Sequence, residues 1–189
     1  MQTSALSFVE AGLSALERSL RDHEGELRNV QLATISAEGR PGLRTLVLRA
    51  FDRSEAYAEM HTEARAGKAR DIAHASEVTF LAWSAADHLQ LRFEGRARLH
   101  RDDDVARARW EKLSANARNM YGLRAEPGTP ITDPEDQSHL PPEDQFKQFT
   151  VILVSLDTFD ILRLEPGGGQ TRACGSFSPA GITGRWIGP

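Results

Sequence analysis

From Leu89 to Leu99 the chain reads Leu-Gln-Leu-Arg-Phe-Glu-Gly-Arg-Ala-Arg-Leu, with polar residues at 90, 92, 94, 96 and 98 and apolar or small ones between them. A helix would scatter those five polar side chains around its circumference. A strand places all of them on one side. That side is too charged for a closed core, so it must face water, a ligand or another subunit. A strand with one dry and one wet face belongs to antiparallel sheets rather than to parallel sheets buried on both sides.

The rest of the chain supports a mainly β fold. Val30–Ile35 and Leu43–Phe51 read as strands joined by the turn Ala37-Glu38-Gly39-Arg40-Pro41, and Ala56–His61 as a weaker third strand. Val78–Trp83, Thr150–Leu156, Phe159–Leu164 and Thr171–Cys174 are further strands. Leu6, Val9, Leu13, Leu16 and Leu20 recur at helical spacing, so Ser7–Asp22 is predicted as an amphipathic helix capped by Ser4 or Ser7. Ala64–Ala75, Asp102–Leu113 and Ser114–Leu123 also read as helical, whereas Glu126–Glu143 reads as a surface loop. The expected organisation is one domain over residues 1–189, with an N-terminal helical segment (1–25), a helical insertion (102–123) and a loop (126–143). Hairpin-spaced strands without βαβ units favour an antiparallel barrel or sandwich.

Composition excludes several classes. No run approaches the ~20 apolar residues of a membrane span, and Met1–Leu13 carries Glu10 without a basic region, unlike a secretory signal. A net charge of −4 argues against general nucleic-acid binding. The single cysteine, Cys174, precludes an internal disulfide and makes a reducing cytoplasm the expected location. It has no activating histidine nearby in sequence and reads as buried packing. His61, His74, His88 and His100 lack metal-ligand spacing, so no metal is expected. Asp102-Asp103-Asp104 reads as helix-start charge, and Trp83 and Trp110 as core aromatics. Trp186 either packs on the barrel or covers a ligand, and packing is the favoured reading.

Charge is unevenly spread. Residues 40–101 hold eleven Lys/Arg against eight Asp/Glu, and residues 102–146 hold five against ten. Within the basic part, Arg44 and Arg49 are five apart on a strand and should point to opposite faces. Arg65 and Lys68 are three apart at the start of the predicted helix and should share a face. A helix start with two cations, preceded by Thr62, suits a phosphate; the plainer alternative is a solvated helix face paired with Glu63 and Asp71.

The order Arg-x-Leu-Val-Leu-Arg (44–49), His-Thr-x-x-Arg-x-x-Lys (61–68) and Leu-Gln-Leu-Arg-Phe-x-Gly (89–95) resembles the pyridoxamine 5′-phosphate oxidase-like FMN-binding split-barrel family. It is closest to a flavin-binding branch with a Thr-Asp-x-Arg-Ser-x-Lys phosphate motif. Trp110, Leu113, Tyr121 and Pro127-Gly128-Thr129-Pro130 are similar to that branch as well. The resemblance runs from about Leu32 to Tyr121 and more weakly into the C-terminal strands.

The resemblance implies a Greek-key antiparallel split β-barrel, FMN as cofactor, and a homodimer with flavin at the subunit interface. It places Arg44, Arg65 and Lys68 at the FMN phosphate and Thr45, Leu46 and Val47 along the isoalloxazine. His61 and Thr62 match the family's Tyr-Thr pair, and Arg49 stands where the oxidases carry a lysine near flavin and substrate. Gln90 matches a glutamine at the flavin edge given by the partner subunit. Arg49 and Arg172 are the candidates to meet an anionic small-molecule substrate, and reduced nicotinamide is a possible electron donor. Two departures stand out. Ala66 replaces a serine of the phosphate motif, and Arg172-Ala173-Cys174 stands where the oxidases have Arg-x-His. The implied activity is that of an FMN-dependent oxidoreductase without authentic pyridoxamine phosphate oxidation, or of a flavin-binding carrier, sensor or stress-related protein. No general base is assigned.

Overall fold

A computed structural model describes residues 4–22, 24–135 and 137–189. The first three residues of the predicted N-terminal segment, His23, and Asp136 in the predicted loop lie outside the described residues.

The described residues form nine strands: β1 (Asn29–Ile35), β2 (Pro41–Asp52), β3 (Tyr57–Glu63), β4 (Glu77–Ser84), β5 (Leu89–His100), β6 (Phe149–Leu164), β7 (Gln170–Ser178), β8 (Gly181–Ile182) and β9 (Arg185–Trp186). Five α-helices accompany them: α1 (Ala5–Arg21), α2 (Gly67–His74), α3 (Asp104–Glu111), α4 (Ala115–Asn119) and α5 (Pro142–Gln145). The sheet order is β3-β2-β1-β4-β5-β6-β7, every named pair is antiparallel, and β3 also pairs with β6. That last pairing closes a six-stranded barrel. β1, β2 and β3 form a meander and β4 returns beside β1, which is a Greek-key connection. Gly39, at φ +74°, supplies the left-handed residue of the β1–β2 turn.

The barrel fills with one parity of each strand. Leu32, Leu48, Met60, Phe80, Leu91, Phe93 and Ile152 are fully buried, with Phe80 and Phe93 stacked 4.9 Å apart. α1, capped by Ser4, buries Phe8, Val9, Leu13 and Leu16. Four such side chains are worth on the order of 6–12 kcal/mol of apolar burial, so α1 is part of the core. Its ion pair from Glu17 to Arg53 ties it to the residue that follows β2. A second apolar cluster lies outside the barrel, where Phe149 and Val151 meet Ala106, Trp110 and Tyr121.

Several sequence expectations need correction. Residues 150–164 form one strand rather than two: between Gly95–Leu156 and Glu94–Thr158 the register takes in Asp157 as an extra residue without breaking the ladder. Trp83 is not core. It is 37% exposed on the outer sheet face, because the buried parity of β4 is Val78, Phe80 and Ala82. Cys174 is only partly buried. α2 begins at Gly67 with Ala66 as its N-cap, so Arg65 precedes the helix instead of sharing its first turn with Lys68. Trp186 packs against Phe8, with ring centroids 5.4 Å apart.

Candidate functional site

A cleft of ≈ 290 Å³ runs along the outer side of β2 and the end of β3. Thr45, Leu46, Val47 and Arg49 line it from β2, and His61, Thr62 and Glu63 from β3. Met120 and Tyr121, just after α4, form the opposite wall. Six predicted site residues therefore meet in one concavity. Tyr121 is buried against Phe149, and that burial pushes its phenol pKa up, with Arg49 acting in the opposite direction.

Arg44 lies on the other face of β2, as its five-residue spacing from Arg49 predicts. Its Nη1 donates to Thr34 Oγ1 at 2.6 Å and to the Leu32 carbonyl at 3.3 Å, and Nη2 lies 3.4 Å from Asp71 Oδ2 on α2. Lys68, also on α2, donates from Nζ to Thr62 Oγ1 at 3.2 Å. Burial lowers the pKa of this ammonium, and the charge of nearby Arg44 lowers it further, against partial compensation from Glu63 and Asp71. Arg44 and Lys68 are thus brought together behind the cleft, at its Thr62 end.

Arg65 is directed elsewhere. Its Nε donates to Glu63 at 2.6 Å, and its terminal nitrogens donate to the carbonyls of Leu123 and Arg124 at 2.7 and 2.9 Å. It straps the segment after Tyr121 to the end of β3. The structure therefore groups Arg44 with Lys68, and sets Arg65 at the rim in a different set of bonds.

His61 Nε2 lies 3.0 Å from Glu59, which also accepts from Arg109 Nε at 2.8 Å. Burial would raise the Glu59 pKa, but these two partners outweigh it and hold the carboxyl below its usual range. His61 Nδ1 is buried with no hydrogen-bond partner among the described residues. Glu59 and Arg109 were not expected at this place. They are 50 residues apart and no local pattern links them.

Two predicted residues lie outside the cleft. Gln90 is on the outer face of β5, paired in register with Trp83 and Leu162. β5 is three strands from β2 in either direction around the barrel, and both Gln90 and the cleft lie on its outside, so Gln90 does not join this cleft within one chain. Arg172 on β7 is closed on Asp160 of β6, with Nε at 3.0 Å from Oδ1 and Nη2 at 2.7 Å from Oδ2.

Among known proteins, residues 11–101 match the family model described as pyridoxamine 5′-phosphate oxidase, FMN-binding domain. A pyridoxamine 5′-phosphate oxidase-related, FMN-binding protein from Nostoc punctiforme superposes with a TM-score of 0.76 at 27% identity, covering 95% of this chain and 96% of its own. PhzG from Burkholderia lata, solved in complex with tetrahydrophenazine-1-carboxylic acid, gives 0.72 at 12% identity over 100% and 94% of the two chains. General stress protein 26 from Bacillus anthracis gives 0.51 at 15% identity over 78% and 91%. At such identities the last two show the fold alone. No curated protein matches the chain by sequence. Barrel closure and the Nostoc structure agree on a closed antiparallel split barrel, and residues 11–101 of this chain are similar to the FMN-binding domain of pyridoxamine 5′-phosphate oxidase.

Proposed function

We propose that the protein is an FMN-dependent oxidoreductase that works as a homodimer on a small anionic substrate. The observation that carries the site is the pairing of Arg44 with Lys68. Two cations share a half-buried region in which Asp71 is the nearest carboxylate to Arg44 and a neutral hydroxyl is Lys68's hydrogen-bond partner. A phosphate dianion relieves that repulsion and supplies charge-assisted acceptors.

In this reading Arg44, Lys68 and Thr62 hold the phosphate, and Arg65 supports it from the rim. The Thr45–Val47 backbone carries the ring, with Arg49 and His61 at its side. The orphaned His61 Nδ1 fits a polar group arriving in the cleft. FMN, when bound, supplies the electron chemistry; the chain's residues bind, orient and exclude water. Gln90 completes the site from the partner subunit. The outer sheet face suits that dimer, because Leu43 is 71% exposed and Ile35 and Trp83 lie exposed on the same side.

Reversible flavin binding without turnover is the second reading. It is favoured by one observation: Arg172, one of the two expected substrate arginines, is already neutralised by Asp160.

The deciding measurement is an absorbance spectrum of purified protein with an FMN fluorescence titration, followed by anaerobic reduction with NADPH and NADH. Flavin bands and reduction are expected. A protein that takes up no FMN sinks the reading, and bound FMN that neither donor reduces moves the assignment to the carrier.

A further inference from the structure

A second, larger cavity of ≈ 450 Å³ opens between β5, β6, β7 and the C-terminal β9. Arg92, Glu94, Asp160, Cys174 and Arg185 are among its lining residues. Its two carboxylates are engaged. Asp160 takes Arg172 on both oxygens and has Arg92 at 3.4 Å. Glu94 lies 3.5 Å from Arg92 and accepts from Thr158.

Arg185 has no carboxylate partner among the described residues. Its Nε donates to Cys174 Sγ at 3.3 Å, a weak acceptor, and no described residue engages its two terminal nitrogens. The arginine is nonetheless held in place. β9 pairs with β7 through Cys174–Arg185 and Ala173–Trp186, and Trp186 packs on Phe8. With Arg172 counted, three guanidiniums face two carboxylates here, leaving one positive charge over.

We infer that this cavity is an anion subsite in which Arg185, and not Arg172, is the recognition cation, and that it receives the carboxylate or phosphate of a small molecule. Its volume suits such a ligand. The inference rests on the proposed function for the anion's role as substrate: in the homodimer this face of one subunit would lie over the flavin cleft of the other.

The test is an equilibrium titration of the FMN-loaded protein with benzoate, phenyl phosphate and the neutral benzamide, followed by calorimetry and flavin difference spectra. Wild type is expected to bind at least one anion and to discriminate against benzamide. Arg185→Ala should weaken anion binding about tenfold or more, the worth of one charge-assisted hydrogen bond. Arg185→Lys should fall between the two. FMN affinity and dimer mass should not change. Preference for phenyl phosphate identifies a phosphoryl ligand and preference for benzoate a carboxylate; either supports the subsite. Arg185 is exposed, so its replacement leaves the core intact, and circular dichroism verifies this. Anion binding unchanged in Arg185→Ala, benzamide binding as tightly as benzoate, or no anion binding by wild type overturns the inference. If wild type takes up no FMN, the flavin reading fails instead, and the same titration on flavin-free protein still decides the role of Arg185.

Discussion

Lys68 Nζ stands 3.2 Å from Thr62 Oγ1, joining the second residue of α2 to the end of β3 at the point where the outer cleft meets the barrel. The hydroxyl satisfies one N–H and none of the charge. Lys68→Ala should therefore lower FMN affinity by about 10- to 100-fold, the range for one hydrogen bond to a charged group. Arg44→Ala should cost at least as much, because it also leaves Asp71 beside the incoming phosphate. Fluorescence titration measures both. Unchanged affinity in both variants would remove the phosphate from this end of the cleft.

The same lysine sets a pH dependence. Burial and then Arg44 hold the Lys68 pKa below its ordinary value. A dianion prefers the protonated ammonium, so FMN affinity should fall as pH rises through that lowered pKa, and binding above it should take up a proton. In the flavin-free protein the sign is reversed for stability: the unfolded chain keeps the proton longer, so stability rises with pH across the same window. Lys68→Arg stays charged throughout and should flatten the alkaline fall in affinity. Titrations from pH 7 to 10 check this.

Strand alternation made β5 legible almost to the residue, because its two faces differ in chemistry at every step. β4 was less legible. Leu81 and Trp83 are as apolar as Phe80 and Ala82, so alternation could not say which parity faces inward. The cleft residues of β2 and β3 were reached through the resemblance carried by residues 44–49 and 61–68, not through periodicity. Glu63 was legible as a partner of Arg65, but that arginine's two carbonyl acceptors and the partner of Arg172 were not: the first depend on where the chain after Tyr121 returns, and the second on the β6–β7 register. The one-residue slip opposite Glu94 and Gly95 is invisible to period counting, since both flanking segments alternate correctly.

Arg65 separates a phosphate ligand from a strap. Its three donors end on Glu63 and two loop carbonyls, geometry that a lysine cannot reproduce. Arg65→Ala and Arg65→Lys should both speed limited proteolysis within residues 124–135. FMN affinity should drop less than in Lys68→Ala. Full protection in Arg65→Lys would mean that charge alone, and not the strap, is what matters there.

Glu59 is a buried carboxylate shared by His61 and Arg109, its side chain only 4% exposed. Arg109→Ala leaves it with one partner and should cost about 2–3 kcal/mol at neutral pH in a urea melt. Because the folded-state pKa of Glu59 is depressed, its contribution is present above its unfolded value and is lost as pH falls through the folded one. The variant should therefore lose less additional stability on acidification than wild type does. A Glu59→Gln/Arg109→Met double variant removes both charges and should regain most of the loss.

Gly95 sits where β5 crosses the register slip in β6, and a Cβ there would lie 2.1 Å from the Ser155 carbonyl oxygen. Backbone cannot swing aside as a flexible side chain can. β5 pairs with β6 along its whole length, from Leu89–Arg163 to His100–Val151, so a local separation is felt on both sides of the slip. Gly95→Ala should cost about 2–4 kcal/mol, in the range of overpacking within a closed core. Gly188→Ala, where no atom lies within 4 Å of the added carbon, should stay within about 0.5 kcal/mol. Paired thermal melts distinguish the two, and equal midpoints would mean that the β5–β6 ladder has slack the geometry does not show.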